Sequence, residues 1–171
     1  MVNQKFLTKG AGVLAEAQAI SSSSGAGDAG KIICTDVNGK VAENMMPASI
    51  GAEIQVCKAG VGGLLENDVV YIHLVTAVLT ADKADATDAT KRAQGYVKQA
   101  YSAGDDATVY LDGELPGTGL TPGAKYYLTT SPGTVSVTPP SGPGNMVQTV
   151  GEAVSATAIK FDPDKQPIVL V

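Results

Sequence analysis

The amino-acid sequence predicts an all-β protein: a small β-sandwich or barrel of short antiparallel strands, preceded by an extended N-terminal arm with β-hairpins. Three observations carry this. There are 20 glycines and 9 prolines in 171 residues, about one residue in six, against roughly one in eight in an average chain. Charged residues are sparse at 17%, and Ala, Val, Thr and Ser dominate the remainder, which favours short strands and tight turns over long helices. The third is residues 119–140, which read turn, strand, turn, strand, stop.

In that run Pro122-Gly123 and Pro132-Gly133 suit tight turns, since proline pre-sets φ at the first central position and glycine accepts positive φ at the next. Between them Tyr126 and Leu128 point to one face of an extended segment and Tyr127 and Thr129 to the other. Val135 and Val137 then alternate with Thr134, Ser136 and Thr138. Pro139-Pro140 ends the pairing, because proline supplies no ladder donor.

Two segments near the N-terminus resemble each other. Lys5-Phe-Leu-Thr-Lys-Gly-Ala-Gly-Val-Leu-Ala-Glu and Lys31-Ile-Ile-Cys-Thr-Asp-Val-Asn-Gly-Lys-Val-Ala-Glu each read strand, glycine turn, strand, and Asn38-Gly39 is a strong hairpin signal. A Ser/Gly tract over 21–30 joins them with the composition of a flexible linker. Freestanding two-stranded hairpins are marginal in water. Residues 1–50, ending at Met45-Met46-Pro47, are therefore expected to be an arm and hairpin clamp that orders by docking on something else. Residues 51–171 are expected to be the β-rich core domain, with strands at 53–58, 69–75, 77–80, 95–100, 107–111, 125–129, 134–138, 146–154, 158–161 and 168–171. One short helix of a turn or two is expected within the alanine-rich segment 81–93. Edge strands in such a core invite covering by oligomerisation.

Composition also narrows function. A net charge of −5 with no Lys/Arg cluster argues against nucleic-acid binding, which needs cations on phosphates. The start, Met1-Val-Asn-Gln-Lys-Phe-Leu, has no apolar signal region, and the longest apolar run, 69–79, is too short for a membrane-spanning helix. A non-secreted product assembled in the cytoplasm is expected, with Cys34 and Cys57 reduced.

Candidate chemistry is thin. His73 lies on a strand with Tyr71 and Val75 on its face, and no motif supplies the orienting partner that general-base chemistry needs. Cys34 and Cys57 belong to no Cys/His cluster, so neither zinc nor another metal is expected. Asp82, Asp85 and Asp88 match no calcium-loop pattern and read as a solvated acidic face. The segment 25–30 fits G-x-G-x-x-G but follows a serine run and precedes Ile32-Ile33, and 60–63 lacks the Lys-Ser/Thr of a phosphate loop, so no cofactor is expected. Tyr126 and Tyr127 point to opposite faces, which suits packing better than a sugar platform.

The order of pieces does resemble a known class. Asp68-Val-Val-Tyr-Ile, Ala81-Asp-Lys-Ala-Asp-Ala, Ala93-Gln-Gly-Tyr-Val, Gly119-Leu-Thr-Pro-Gly-Ala-Lys-Tyr-Tyr-Leu and Val150-Gly-Glu-Ala-Val-Ser-Ala-Thr look like small structural proteins of tailed bacteriophages. The resemblance covers roughly residues 65–165 and is to capsid decoration (cement) proteins, with related modules in tail-fibre and baseplate components. It implies a non-enzymatic virion protein, a homotrimer on the outer capsid surface that binds the major capsid protein and contacts neither nucleic acid nor membrane. The binding residues are then expected in the arm: Phe6, Leu7, Val13, Leu14, Ile32, Ile33, Met45 and Met46. The alternatives are a tail-fibre or baseplate adaptor, and a β-sandwich hydrolase or lectin that uses His73 or the Asp82 group.

Overall fold

The computed structural model describes residues 5–10, 13–23, 25–29, 31–37, 39–42, 45–46 and 53–171. The chain forms two compact units, Met1–Gly51 and Ala52–Val171, and all its strands fall within one or the other.

In the first unit, β1 (Lys5–Gly10) and β2 (Val13–Gln18) form an antiparallel hairpin whose register runs from Lys5 opposite Gln18 to Gly10 opposite Val13. The predicted first hairpin is thus present. The second is not found among the described residues of 31–42, where the Asp36 amide donates to the Lys40 carbonyl at 2.7 Å and Gly39 donates back to Asp36 at 3.0 Å. Asn38 itself lies outside the described residues. Instead of pairing with its own turn partner, Ile33 bridges Ile20 in parallel. The Ser/Gly tract also departs from a plain linker, since it holds a 3-10 turn at Ala26–Asp28.

The second unit is all-β, with no helix among the described residues. Strands β3 (Ile54–Ala59), β4 (Val69–Val75), β5 (Val78–Lys83), β6 (Gly95–Tyr96) and β7 (Asp106–Tyr110) close into a barrel in the order β3-β5-β4-β6-β7. A five-stranded sheet follows, made of β8 (Gly113–Pro116), β9 (Lys125–Leu128), β10 (Val135–Ser136), β12 (Thr149–Ala153) and β13 (Ala158–Phe161) in the order β10-β9-β12-β13-β8. The short strands β11 (Met146–Val147) and β14 (Ile168–Val169) pair with each other. One pairing breaks the antiparallel expectation: β3 and β5 run parallel, with Lys58 opposite Thr80 and Ala59 opposite Ala81. That contact closes the barrel.

Two cores result. Cys57, Ala59, Leu64, Val70, Ala81, Val97, Ala107 and Val109 fill the barrel. Val69, Tyr96, Leu115, Tyr126, Leu128, Met146, Val150, Ile159 and Phe161 join the barrel to the sheet. Strand β4 serves both, because successive side chains point to opposite faces: Val70 enters the barrel and Val69 the second core.

The Pro-Gly turns behave as their chemistry predicts. Gly123 and Gly133 have φ of +80° and +83°, Val135 stands opposite Leu128, and Tyr126 and Leu128 are buried while Tyr127 is only partly so. In the neighbouring strand β12 the register slips between Thr149 and Gly151. A Cβ on Gly151 would run into the Lys160 carbonyl, so the bulge brings two backbones together at a place only glycine allows.

The short helix expected within 81–93 is replaced by strand and turns. Ala81 pairs with Ile72 across β4–β5, and the Ala84 and Ala86 amides donate to Val69 and Thr129 carbonyls. Alanine propensity loses to these long-range bonds. Asp85 then accepts from the amide and hydroxyl of Thr87, and Asp88 does the same for Thr90. These repeated Asp-x-Thr turns compete directly with a helical turn.

Candidate partner-binding surface

The alternation of the β1–β2 hairpin sets what the first unit presents. Leu7 stands opposite Glu16 and Phe6 opposite Ala17. Lys5 reaches the Glu16 carboxylate diagonally at 2.8 Å, an exposed pair worth little. Leu7 is 71% exposed, while Phe6 is partly buried. Val13 and Leu14 sit in β2 opposite Gly10 and Lys9; their side chains are outside what the structure describes.

A second group gathers around Ile20. Its amide donates to the Ile32 carbonyl at 3.0 Å and its carbonyl accepts from Cys34 at 2.9 Å. This fixes the backbone of Ile32 and Ile33 but leaves their side chains 51% and 49% exposed. Met45 donates to the Ala42 carbonyl in a turn and is partly buried, whereas Met46 is exposed. Val37 and Val41 are exposed as well. The structure thus brings Ile32 and Ile33 together at the Ile20 bridge; Phe6 and Leu7 belong to the hairpin and Met45 and Met46 to a separate turn.

Burial separates the two units sharply. Among the described residues, none of Met1–Gly51 is buried, and the buried apolar side chains all belong to Ala52–Val171. Cys34 and Cys57 are both free. Burial pushes the Cys57 thiol up, as suits a small apolar filler. Cys34 lies in no strand, so the expected strand around it is absent.

The candidates for chemistry are placed differently from their sequence expectation. Register sets Tyr71 opposite Asp82 and His73 opposite Thr80, which makes His73 and Asp82 diagonal neighbours on the outside of the barrel. Nε2 of His73 lies 2.8 Å from Oδ2 of Asp82, so the histidine does have an orienting partner. Its ring stacks on Tyr71 at 4.8 Å between centroids. Burial first, then the Asp82 carboxylate, pushes the Tyr71 phenol up, with Asp88 adding and Lys91 opposing. Asp82 occupies the space over Gly60, where a Cβ would collide with its carboxylate. Asp82, Asp85 and Asp88 therefore do not act as one group: the first holds His73, and the other two each cap a turn of their own. Among the described residues no group of three metal-ligating side chains converges.

One cleft of about 620 Å³ opens where Ile72, Leu79 and Leu111 meet Phe161, rimmed by Arg92, Asp112, Asp162 and Lys165. Its apolar floor and mixed-charge rim lack a nucleophile beside a base. No protein-family model, curated protein or solved structure matches this chain.

Proposed function

We propose that this protein is a virion structural protein that decorates and stabilises the outer surface of a tailed-phage capsid, as a homotrimer bound to the lattice of the major capsid protein. One observation carries the reading: the first unit holds no buried residue among those described, yet presents Leu7, Ile32, Ile33 and Met46 to solvent. A unit built this way gains its apolar burial, and hence its order, by lying on a partner. The second unit has cores of its own and suits the part of a rigid body carried by the arm.

Stabilisation then follows from mass action. A protein that binds the assembled shell and not its dissociated subunits favours the shell by an amount set by occupancy and affinity. Repeated modest contacts from linked copies on a lattice add through effective concentration. The reading involves no catalytic step and no cofactor, and it gives the acidic chain no nucleic-acid contact.

The test is the copy number of this protein in purified particles, read by quantitative mass spectrometry and located on a map of the particle. Hundreds of copies on the head support decoration. A few dozen copies at the tail would replace it with the tail-fibre or baseplate adaptor reading.

A further inference from the structure

We propose that the outer face of the β9-β12-β13-β8 sheet is a two-fold contact through which copies of this chain pair. The face carries one straight row of alternating charge. Lys125 of β9 stands opposite Glu152 of β12, Glu152 opposite Lys160 of β13, and Lys160 opposite Glu114 of β8. Across four neighbouring strands the order is therefore plus, minus, plus, minus. All four residues are exposed, while the adjacent Leu115, Tyr126, Ala153 and Ile159 turn into the core on the other side.

Opposite charges facing each other on adjacent strands commonly pair. Here none of the four forms an ion pair or a side-chain hydrogen bond with another described residue. Their charged ends are left for a partner. Gly151, at the bulge of β12, contributes no side chain, and a depression of about 250 Å³ runs beside Lys125, Glu152 and Lys160.

The charge order selects a second copy as that partner. Reversed end to end, plus, minus, plus, minus becomes minus, plus, minus, plus. A two-fold axis parallel to the strands, between β12 and β13, reverses the row and turns the two faces together. It sets Lys125 against the partner's Glu114 and Glu152 against the partner's Lys160, each twice. Such a contact is self-complementary, and sheets packed face to face keep their strands nearly aligned. Stacking without the reversal would put like charge on like, so the row also fixes the orientation. The row sums to zero, and a chain of net charge −5 meets its copy here without the repulsion of its acidic remainder. A uniformly basic or acidic partner would find two of the four charges against it.

This contact is separate from the trimer of the proposed function and is read without any shell. Analytical ultracentrifugation at low salt, where exposed charges act furthest, follows the mass of the full chain over a concentration series. The native protein should form even-numbered species: dimers, or hexamers if trimers form. Glu152→Lys and Lys160→Glu each put like charges together and should weaken this step at least about tenfold. Mixed in equal amounts, the two variants should associate again, because every opposed pair is then of opposite sign. Both changes in one chain should restore association as well. Glu66→Lys, the same charge change on an exposed turn outside the sheet, should associate like the native protein. Thermal denaturation checks that each variant folds. A native mass that stays at the monomer or trimer would overturn the proposal. So would single variants that pair like the native chain, a mixture and a double variant that both stay apart, or a control that fails equally. Each of these results leaves the shell-binding reading standing, since occupancy on shells is a separate measurement.

Discussion

Gln148 and Ala93 are joined through both ends of one side chain. Gln148 Oε1 accepts from the Ala93 amide at 2.7 Å and its Nε2 donates to the Ala93 carbonyl at 3.0 Å. The same nitrogen donates to the Asp164 carbonyl at 2.8 Å, and Gln148 is fully buried. A side-chain amide here replaces a missing strand. It ties the turn region before β6 to the ends of β11 and β13, where no ladder runs.

Gln148→Ala strands two buried backbone groups, the Ala93 amide and carbonyl, removes the partner of the part-buried Asp164 carbonyl and opens a cavity. Each orphaned buried group costs about 1–3 kcal/mol, so the loss of unfolding free energy should reach at least about 3 kcal/mol. Urea titration reads it; a change below about 1 kcal/mol would mean that the network is replaceable.

Tyr96 predicts a base-labile core. Its hydroxyl donates to the Glu114 carbonyl at 2.8 Å and lies 3.3 Å from that of Asp112, and its ring packs on Phe161 at 5.0 Å. Burial first, then Tyr110, Asp112 and Glu114, pushes its phenol up to about 12. An unfolded tyrosine ionises near ~10, so between ~10 and ~12 the unfolded chain sheds a proton that the native state keeps. Stability is therefore complete below pH ~10 and falls as pH rises through that window. Tyr96→Phe should be less stable by about 1 kcal/mol at neutral pH but lose less on going to high pH. Parallel base limbs for the two proteins in denaturant titrations would refute this.

The Thr76-Ala77 turn predicts a stabilising substitution. Thr76→Asn with Ala77→Gly supplies the residues that its two positive φ values favour. The gain should be about 1 kcal/mol, seen as a rise in Tm. A fall in Tm would mean that the positive φ values at the tip carry no strain.

Legibility followed the range of the interaction. The β9–β10 hairpin was readable because Pro-Gly turns and strict alternation are local, and β4 because Asn67-Asp68 marks its start. The strand β8 was not, since Gly113-Glu-Leu-Pro116 has no β-branched residue and is strand only by pairing with β13. Neither was the parallel β3–β5 contact, because a period of two says which face a residue takes and nothing about its neighbour. The His73–Asp82 pair needed the β4–β5 register, which no spacing rule supplies. In the arm, β1 and β2 pair as far as Gly10 opposite Val13, as the first glycine-containing segment suggested, whereas Ile33 took Ile20 as its partner over the hairpin that Asn38-Gly39 suggested. Nothing in the sequence showed that Ile32 and Ile33 would go to a bridge with Ile20 and Met45 and Met46 to a turn, apart from the hairpin that holds Phe6 and Leu7.

The most direct test of the shell-binding reading replaces Leu7, Ile32 and Ile33 by Asp in the full chain and measures occupancy on shells assembled without the protein. All three are exposed, so the fold and the Tm of the second unit should be unchanged, while three buried carboxylates at a contact should abolish binding. Occupancy equal to that of the native chain would contradict the account.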